Sequence, residues 1–148
     1  MKKIGYATGV FDMFHVGHLN LIRRAKLECD YLIVGVTTDE LVFELKGRMP
    51  IIPLEERIEI IQSIKFVDDV VPEISVDKLS AWKNLNFDIT FKGSDWKGSE
   101  KWVQLEKEFS ERGVEVFYLP YTEHTSSTKL RKTLEFMYKS MTDEGDGI

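Results

Sequence analysis

Apolar and polar positions are sorted along this chain into short blocks of two kinds. Ile4-Gly5-Tyr6-Ala7 is an apolar run that predicts a first strand. Leu19, Ile22 and Ala25, with Leu21 beside them, recur at helical spacing and predict a helix closing near Leu27. Residues 31–36, Tyr-Leu-Ile-Val-Gly-Val, form a near-continuous apolar run, as expected of a parallel strand covered on both faces. Thr37-Thr38-Asp39-Glu40 supplies capping residues for a short helix, and Pro53 opens another over residues 54–64, with Ile58, Ile61 and Ile64 on one face. Residues 68–72 predict a turn and a short strand, 79–85 a helix, and 87–91 an alternating strand. A helix over 102–112 stops at Gly113, a strand follows at 114–119, and a last helix is expected from about Ser127 to Met137. The acidic stretch 142–148 reads as a disordered tail.

Strands alternating with helices predict an α/β fold: a Rossmann-like open parallel sheet of about five strands flanked by helices, with right-handed crossovers. The length of 148 residues fits one domain, placed at residues 1–140, and 43% hydrophobic residues can fill its core. A net charge of -5 argues against a general nucleic-acid binder, though a local basic pocket can still hold a small anion. Cys29 is the single cysteine, so no intrachain disulfide can form and a reducing compartment is natural. No apolar stretch follows Lys2 and Lys3 as in a signal peptide, and none is long enough to span a bilayer. A cytoplasmic protein without nucleic-acid or membrane partners is expected.

Chemistry concentrates in residues 9–18, Gly-Val-Phe-Asp-Met-Phe-His-Val-Gly-His, between the first strand and the first helix. Gly9 and Gly17 let the backbone approach a ligand, and amides at a helix N-terminus favour phosphate. His15 and His18 stand at i and i+3, on one side of a helical turn. Such a pair can donate to phosphate oxygens; a zinc site would need more ligands than His124 and Cys29 offer. Asp12 has two readings, a Mg²⁺ ligand or an aspartate that orients the loop. Two further polar loops, 92–98 and 122–128, also follow predicted strands. In an open parallel sheet all three converge at the carboxyl edge.

These residues resemble the HxGH nucleotidyltransferase superfamily in its cytidylyltransferase form, most like the glycerol-3-phosphate cytidylyltransferases, from about Lys3 to Met137. The resemblance implies that His15 and His18 stabilise the pentacovalent transition state and that Lys46, with Arg48, contacts the triphosphate. It implies nucleotide contacts from Gly9, Val10, Phe11, Asp12 and Gly17. Residues 54–57, Leu-Glu-Glu-Arg, resemble the family's Glu-x-Arg helix start, where the matching Arg57 binds phosphate. Residues 92–96 resemble a Gly-Asp-Asp-Trp segment, with Ser94 in place of the first Asp. Asp95 and Trp96 are then base or ribose contacts, or Trp96 is packing. Residues 121–128 resemble Arg-Thr-Glu-Gly-Ile-Ser-Thr-Ser/Thr: Thr122, Glu123, Ser126 and Thr128 match and Ser127 is close, which implies nucleotide contacts from Thr122, Ser126, Ser127 and Thr128, while Tyr121, His124 and Thr125 depart. Losing that arginine removes a bidentate cation. Lys129, Arg131 and Lys132 cluster nearby, with a solvated face as their plain reading.

The activity so implied is transfer of CMP from CTP, with Mg²⁺, to a small phosphorylated alcohol, releasing pyrophosphate; a homodimer is implied too. ATP-using adenylyltransferases of the same superfamily and a nucleotide-binding module without turnover are the alternatives. A choline-phosphate acceptor would call for an aromatic cage, for which Trp82, Trp96, Trp102 and Tyr121 are the available rings.

Overall fold

Tyr31–Thr37 forms the second strand in chain order, β2, and lies against Ile4–Gly9, β1, in parallel register from Ile4 beside Tyr31 to Gly9 beside Val36. In this computed structural model, which describes residues 2–120 and 126–146, three more parallel strands join them. These are β3 (Asp69–Glu73), β4 (Ile89–Gly93) and β5 (Glu115–Leu119), and the spatial order is β3-β2-β1-β4-β5. The helices are α1 (Val16–Leu27), α2 (Asp39–Lys46), α3 (Leu54–Gln62), α4 (Lys78–Leu85), α5 (Glu100–Ser110) and α6 (Ser127–Asp146), with one 3-10 turn at Ser94–Trp96.

The apolar run of β2 is split by the two-residue period of a strand. Leu32, Val34 and Val36 point into a core with Ala7, Ile22, Ile61, Ile89 and Leu119. Ile33 points into the opposite core with Tyr6, Phe87, Phe109 and Val114. Tyr6 stacks on Phe87 with ring centroids 5.0 Å apart, and Phe87 meets Phe109 edge-on at 5.7 Å. Burial on both faces is why β2 reads as a continuous hydrophobic block rather than an alternating one.

The strand order reverses direction between β1 and β4. Connections from β1 lead to one side of the sheet and those from β4 to the other, which opens a crevice at the carboxyl ends of these two strands. Two elements differ from the sequence reading. Lys46 is the last residue of α2, followed by a left-handed Gly47 (φ 73°) that ends the helix, so the basic loop begins one residue later. The last helix continues from Met137 to Asp146, through residues read as disordered. Once a helix is nucleated each added residue brings a hydrogen bond, so the extension needs little intrinsic propensity.

Candidate active site at the β1–α1 loop

His15 is the N-cap of α1. Its Nδ1 accepts the Gly17 amide at 3.0 Å, and Nδ1 of His18 accepts the His15 amide at 3.3 Å, a reciprocal capping arrangement built from two imidazoles. A backbone N–H can only donate, so both Nδ1 atoms act as acceptors. In each neutral ring the proton therefore sits on Nε2, and both Nε2–H groups serve as donors. The rings stack with centroids 3.9 Å apart, which keeps the two donors together. Gly17 is buried at this cap and supplies the amide that orients His15.

The turn before the histidines has an unusual backbone. Phe11 (φ 54°) and Met13 (φ 50°) are left-handed, a conformation that non-glycine residues adopt only where the surroundings impose it. Phe11 is buried and meets His18 edge-on at 5.5 Å. A Cβ on Gly9 would stand 2.9 Å from the Phe11 ring, so only glycine lets Phe11 fold back over the end of β1.

Asp12 is buried, and its two carboxylate oxygens accept the amides of Ile51 (2.8 Å) and Ile52 (2.9 Å). Of its two readings the geometry supports the orienting one: the carboxylate clamps the loop that carries Arg48. Each oxygen accepts one amide, so the carboxylate has a structural role whether or not Mg²⁺ reaches its remaining lone pairs. Among the described residues no group of three or more His, Cys, Asp or Glu is placed to hold a metal.

Arg57 requires the larger correction. It is 1% exposed and donates four hydrogen bonds: Nε to Ile52 O (2.8 Å), Nη1 to Val10 O (2.8 Å) and Thr37 O (2.7 Å), and Nη2 to Asp39 Oδ1 (2.5 Å). A guanidinium so enclosed has no face for an incoming phosphate. It ties the β1–α1 loop, the end of β2, the start of α2 and the loop before α3 into one floor beneath the site. Sequence periodicity cannot separate such an arginine from a solvated helix residue, because its partners are mostly carbonyls.

The available cations are elsewhere. Lys46 feels Arg48, Arg131 and Asp12; partial burial first, then the two arginines, hold its ammonium below the usual lysine range, while Asp12 pulls the other way. Arg131, one of the basic cluster at the start of the last helix, is buried on α6, one turn beyond Ser127. The i, i+4 spacing from Ser127 is the signal that places it on the site face. Ser127 Oγ donates to Asp12 O (2.6 Å) and lies 3.4 Å from His18 Nε2, so the start of α6 closes on the histidine loop. Ser126 caps this helix, its Oγ accepting the Lys129 amide at 3.3 Å, and Thr128 is exposed in the first turn. Thr122, with Tyr121 and His124, lies outside the described residues, and of Asp95 only the backbone, in the turn after β4, is described.

Trp96 is 47% exposed and is not a core packing residue. With Gly9 and Val10 it lines a cavity of about 230 Å³ at the carboxyl ends of β1 to β4. Sequence reasoning missed most of the polar lining. Lys78 Nζ bridges Glu73 Oε2 (2.5 Å) and Thr8 Oγ1 (2.7 Å), and Glu73 Oε1 accepts from Thr37 Oγ1 (2.8 Å). Their only sequence signal was position: Thr37 and Glu73 end β2 and β3, and Thr8 is the last residue but one of β1.

A family model for cytidylyltransferase-like proteins matches residues 6–133. The chain is 38% identical over 135 residues to a glycerol-3-phosphate cytidylyltransferase of Bacillus spizizenii, covering 90% of this chain and 98% of that one. This chain belongs to the cytidylyltransferase-like family of nucleotidyltransferases. It is also 39% identical over 135 residues to an FAD synthase of Pyrococcus horikoshii, covering 86% of each. Among solved structures, the lipopolysaccharide core biosynthesis protein of Thermoplasma volcanium superposes with a TM-score of 0.69 at 26% identity, over 84% of this chain and 100% of that one. The span of the family model, residues 6–133, includes the His15–His18 loop, Lys46, Arg48 and Arg131, and the cavity. Among the described residues no helix is long and apolar enough to cross a membrane.

Proposed function

We propose that this nucleotidyltransferase moves CMP from CTP to a small phosphorylated alcohol, glycerol 3-phosphate in the first instance, and releases pyrophosphate. The observation that carries the reading is the pair of Nε2 donors held side by side by their Nδ1 caps, beside a group of three cations. An oxygen of the acceptor phosphate attacks the α-phosphorus, a new P–O–P bond forms, and the bond to the β-phosphate breaks with its electron pair leaving on pyrophosphate. The attacking monoester has a second pKa of about 6 and is ionised at neutral pH, so no general base is needed. The chain's contribution is positioning and charge neutralisation. His15 and His18 donate to the oxygens of the reacting phosphorus, where negative charge grows. Lys46, Arg48 and Arg131, with the α6 start at Ser126 to Thr128, face the triphosphate. Mg²⁺ enters with CTP as part of the substrate, and no step here depends on a protein ligand to it. A cytoplasmic homodimer belongs to the same proposal.

The similarity to the Bacillus spizizenii protein supports CTP and glycerol 3-phosphate. The similarity to an FAD synthase supports a second reading, AMP transfer from ATP. Pyrophosphate release is the test, with CTP or ATP paired in turn with glycerol 3-phosphate, phosphocholine and FMN. Release with CTP and glycerol 3-phosphate is expected. Release with ATP alone overturns the CTP assignment, and nucleotide binding without release from any pair overturns transfer.

A further inference from the structure

Ser127, the first residue of α6, meets two groups of the histidine loop at once. Its Oγ lies 2.6 Å from Asp12 O and 3.4 Å from His18 Nε2. A hydroxyl has one proton and two lone pairs, and a carbonyl oxygen can only accept. The short contact to Asp12 O therefore takes the serine proton. Toward His18 the oxygen then offers lone pairs, and the Nε2 that faces it is the nitrogen that carries the ring proton. The His15 amide, which donates to Nδ1 on the other side of the same ring, imposes the same tautomer. His18 is thus held at both nitrogens, once by its own helix start and once by a residue 109 positions further along the chain. Phe11 and Phe14 pack against the ring at 5.5 and 5.4 Å between centroids, but an apolar ring does not choose which nitrogen is protonated.

We infer that Ser127 is a positioning residue for His18: with its own proton committed to the Asp12 carbonyl, its oxygen holds the His18 Nε2–H where the reacting phosphate arrives. This rests on the reading that His18 donates to that phosphate. The two contacts of the hydroxyl differ in strength in the way the role requires. At 3.4 Å the one to His18 is long for N–H···O, whose usual distance is about 2.9–3.0 Å, so a charged phosphate oxygen readily takes the donor over. The bond to Asp12 O, at 2.6 Å, is the anchor. Asp12 is itself braced, because its carboxylate accepts the Ile51 and Ile52 amides. Ser126 supplies the helix cap, which leaves the Ser127 hydroxyl for this second task. A hydroxyl that binds phosphate donates to it, and Ser127 could do so only by giving up its bond to Asp12. The side chain therefore serves the histidine, while the first turn of α6 faces the triphosphate. Nucleotide loading and placement of the donor meet in one residue.

Turnover and the state of the ring are read separately. Pyrophosphate release is measured with CTP and glycerol 3-phosphate, or with ATP and FMN if that is the pair turned over. Ser127→Ala should lower kcat by about three- to tenfold, the range for one neutral hydrogen bond, and leave the nucleotide KM within about twofold. Ser127→Thr, which keeps the hydroxyl, should restore kcat. In a His18→Ala background the same Ser127→Ala change should lower kcat no further, because a residue acting through His18 has nothing left to position. An unchanged kcat in Ser127→Ala, multiplicative losses in the double variant, or a raised KM with kcat retained overturns the inference. A His18→Ala protein with undiminished turnover overturns the donor reading, and the inference with it. Nitrogen-15 NMR of histidine-labelled protein needs no turnover. The chain has three histidines, and His18→Ala assigns the His18 signals. Wild type should show His18 protonated at Nε2, and Ser127→Ala should shift that signal while Nδ1 remains an acceptor. A His18 Nε2 signal untouched by Ser127→Ala overturns the contact itself.

Discussion

Arg57→Lys distinguishes a scaffold arginine from a phosphate ligand. Lysine keeps the positive charge but cannot reproduce a planar fork that reaches four acceptors on four different segments. The substitution leaves the Ile52, Val10 and Thr37 carbonyls short of a donor and weakens the pair with Asp39, whose side chain is only 18% exposed. Disrupting a buried pair of this kind costs about 3–5 kcal/mol. In a domain of this size each kcal/mol shifts the melting temperature by about 2–4 °C, so a drop of about 6–20 °C is expected by thermal circular dichroism. The change falls beneath the β1–α1 loop, so pyrophosphate release should decline in parallel with stability. A variant that melts within 2 °C of wild type yet shows a raised KM for nucleotide would refute the reasoning and return Arg57 to phosphate binding.

His18→Ala should lower turnover by about 10²–10³, the range for losing one charge-stabilising donor, measured as pyrophosphate release at saturating substrates. His15→Asn keeps an N-cap acceptor while removing the Nε2 donor, so it should melt within a few degrees of wild type and still lose turnover; a large loss of stability would show the imidazole to be mainly structural. Asp12→Asn turns one of two acceptors into a donor facing an amide, and a destabilisation of about 1–3 kcal/mol is expected from denaturant titration. Lys46 has its pKa lowered by burial and by Arg48 and Arg131, and bound triphosphate needs the charged form. Nucleotide kcat/KM should therefore fall as pH rises through that depressed value, below the ordinary lysine range, and Lys46→Arg should move the fall to higher pH. For the same reason the unfolded chain holds this proton more tightly, so Lys46's contribution to stability rises with pH between the folded and unfolded values.

What was legible in the sequence was whatever local pattern determines. The unbroken apolar block at residues 31–36 announced a strand buried on both faces, and the glycine-rich, two-histidine stretch after a strand announced a helix N-terminus fit for phosphate. The resemblance then named the chemistry of that stretch. Partners across the sheet were not legible. Glu73, Lys78 and Thr8 meet in one cavity because β3 and β1 flank β2, and nothing local to any of them reports that adjacency. Arg57 failed for the complementary reason. Its motif match pointed outward to phosphate, whereas its position over the ends of β1 and β2 turned it inward to carbonyls. Trp96 and Trp102 looked like possible cage rings until the structure put Lys92 over both.

The histidine pair shows why the legible part and the functional part coincide. An imidazole has two nitrogens, and a helix N-terminus leaves amides without intrahelical acceptors. Spending Nδ1 of each ring on those amides fixes the start of α1 and leaves the Nε2 proton as the outward donor. Aspartate would cap the helix as well but has no proton to donate, and serine would have to accept and donate through one short hydroxyl, whereas imidazole separates the two tasks across its ring. The i, i+3 spacing suits the reciprocal cap and the paired donors alike. A sequence signal created by local folding requirements therefore also marks the chemistry, whereas the neighbouring cavity, lined from the ends of β1 to β4 and from α5, leaves no such local trace.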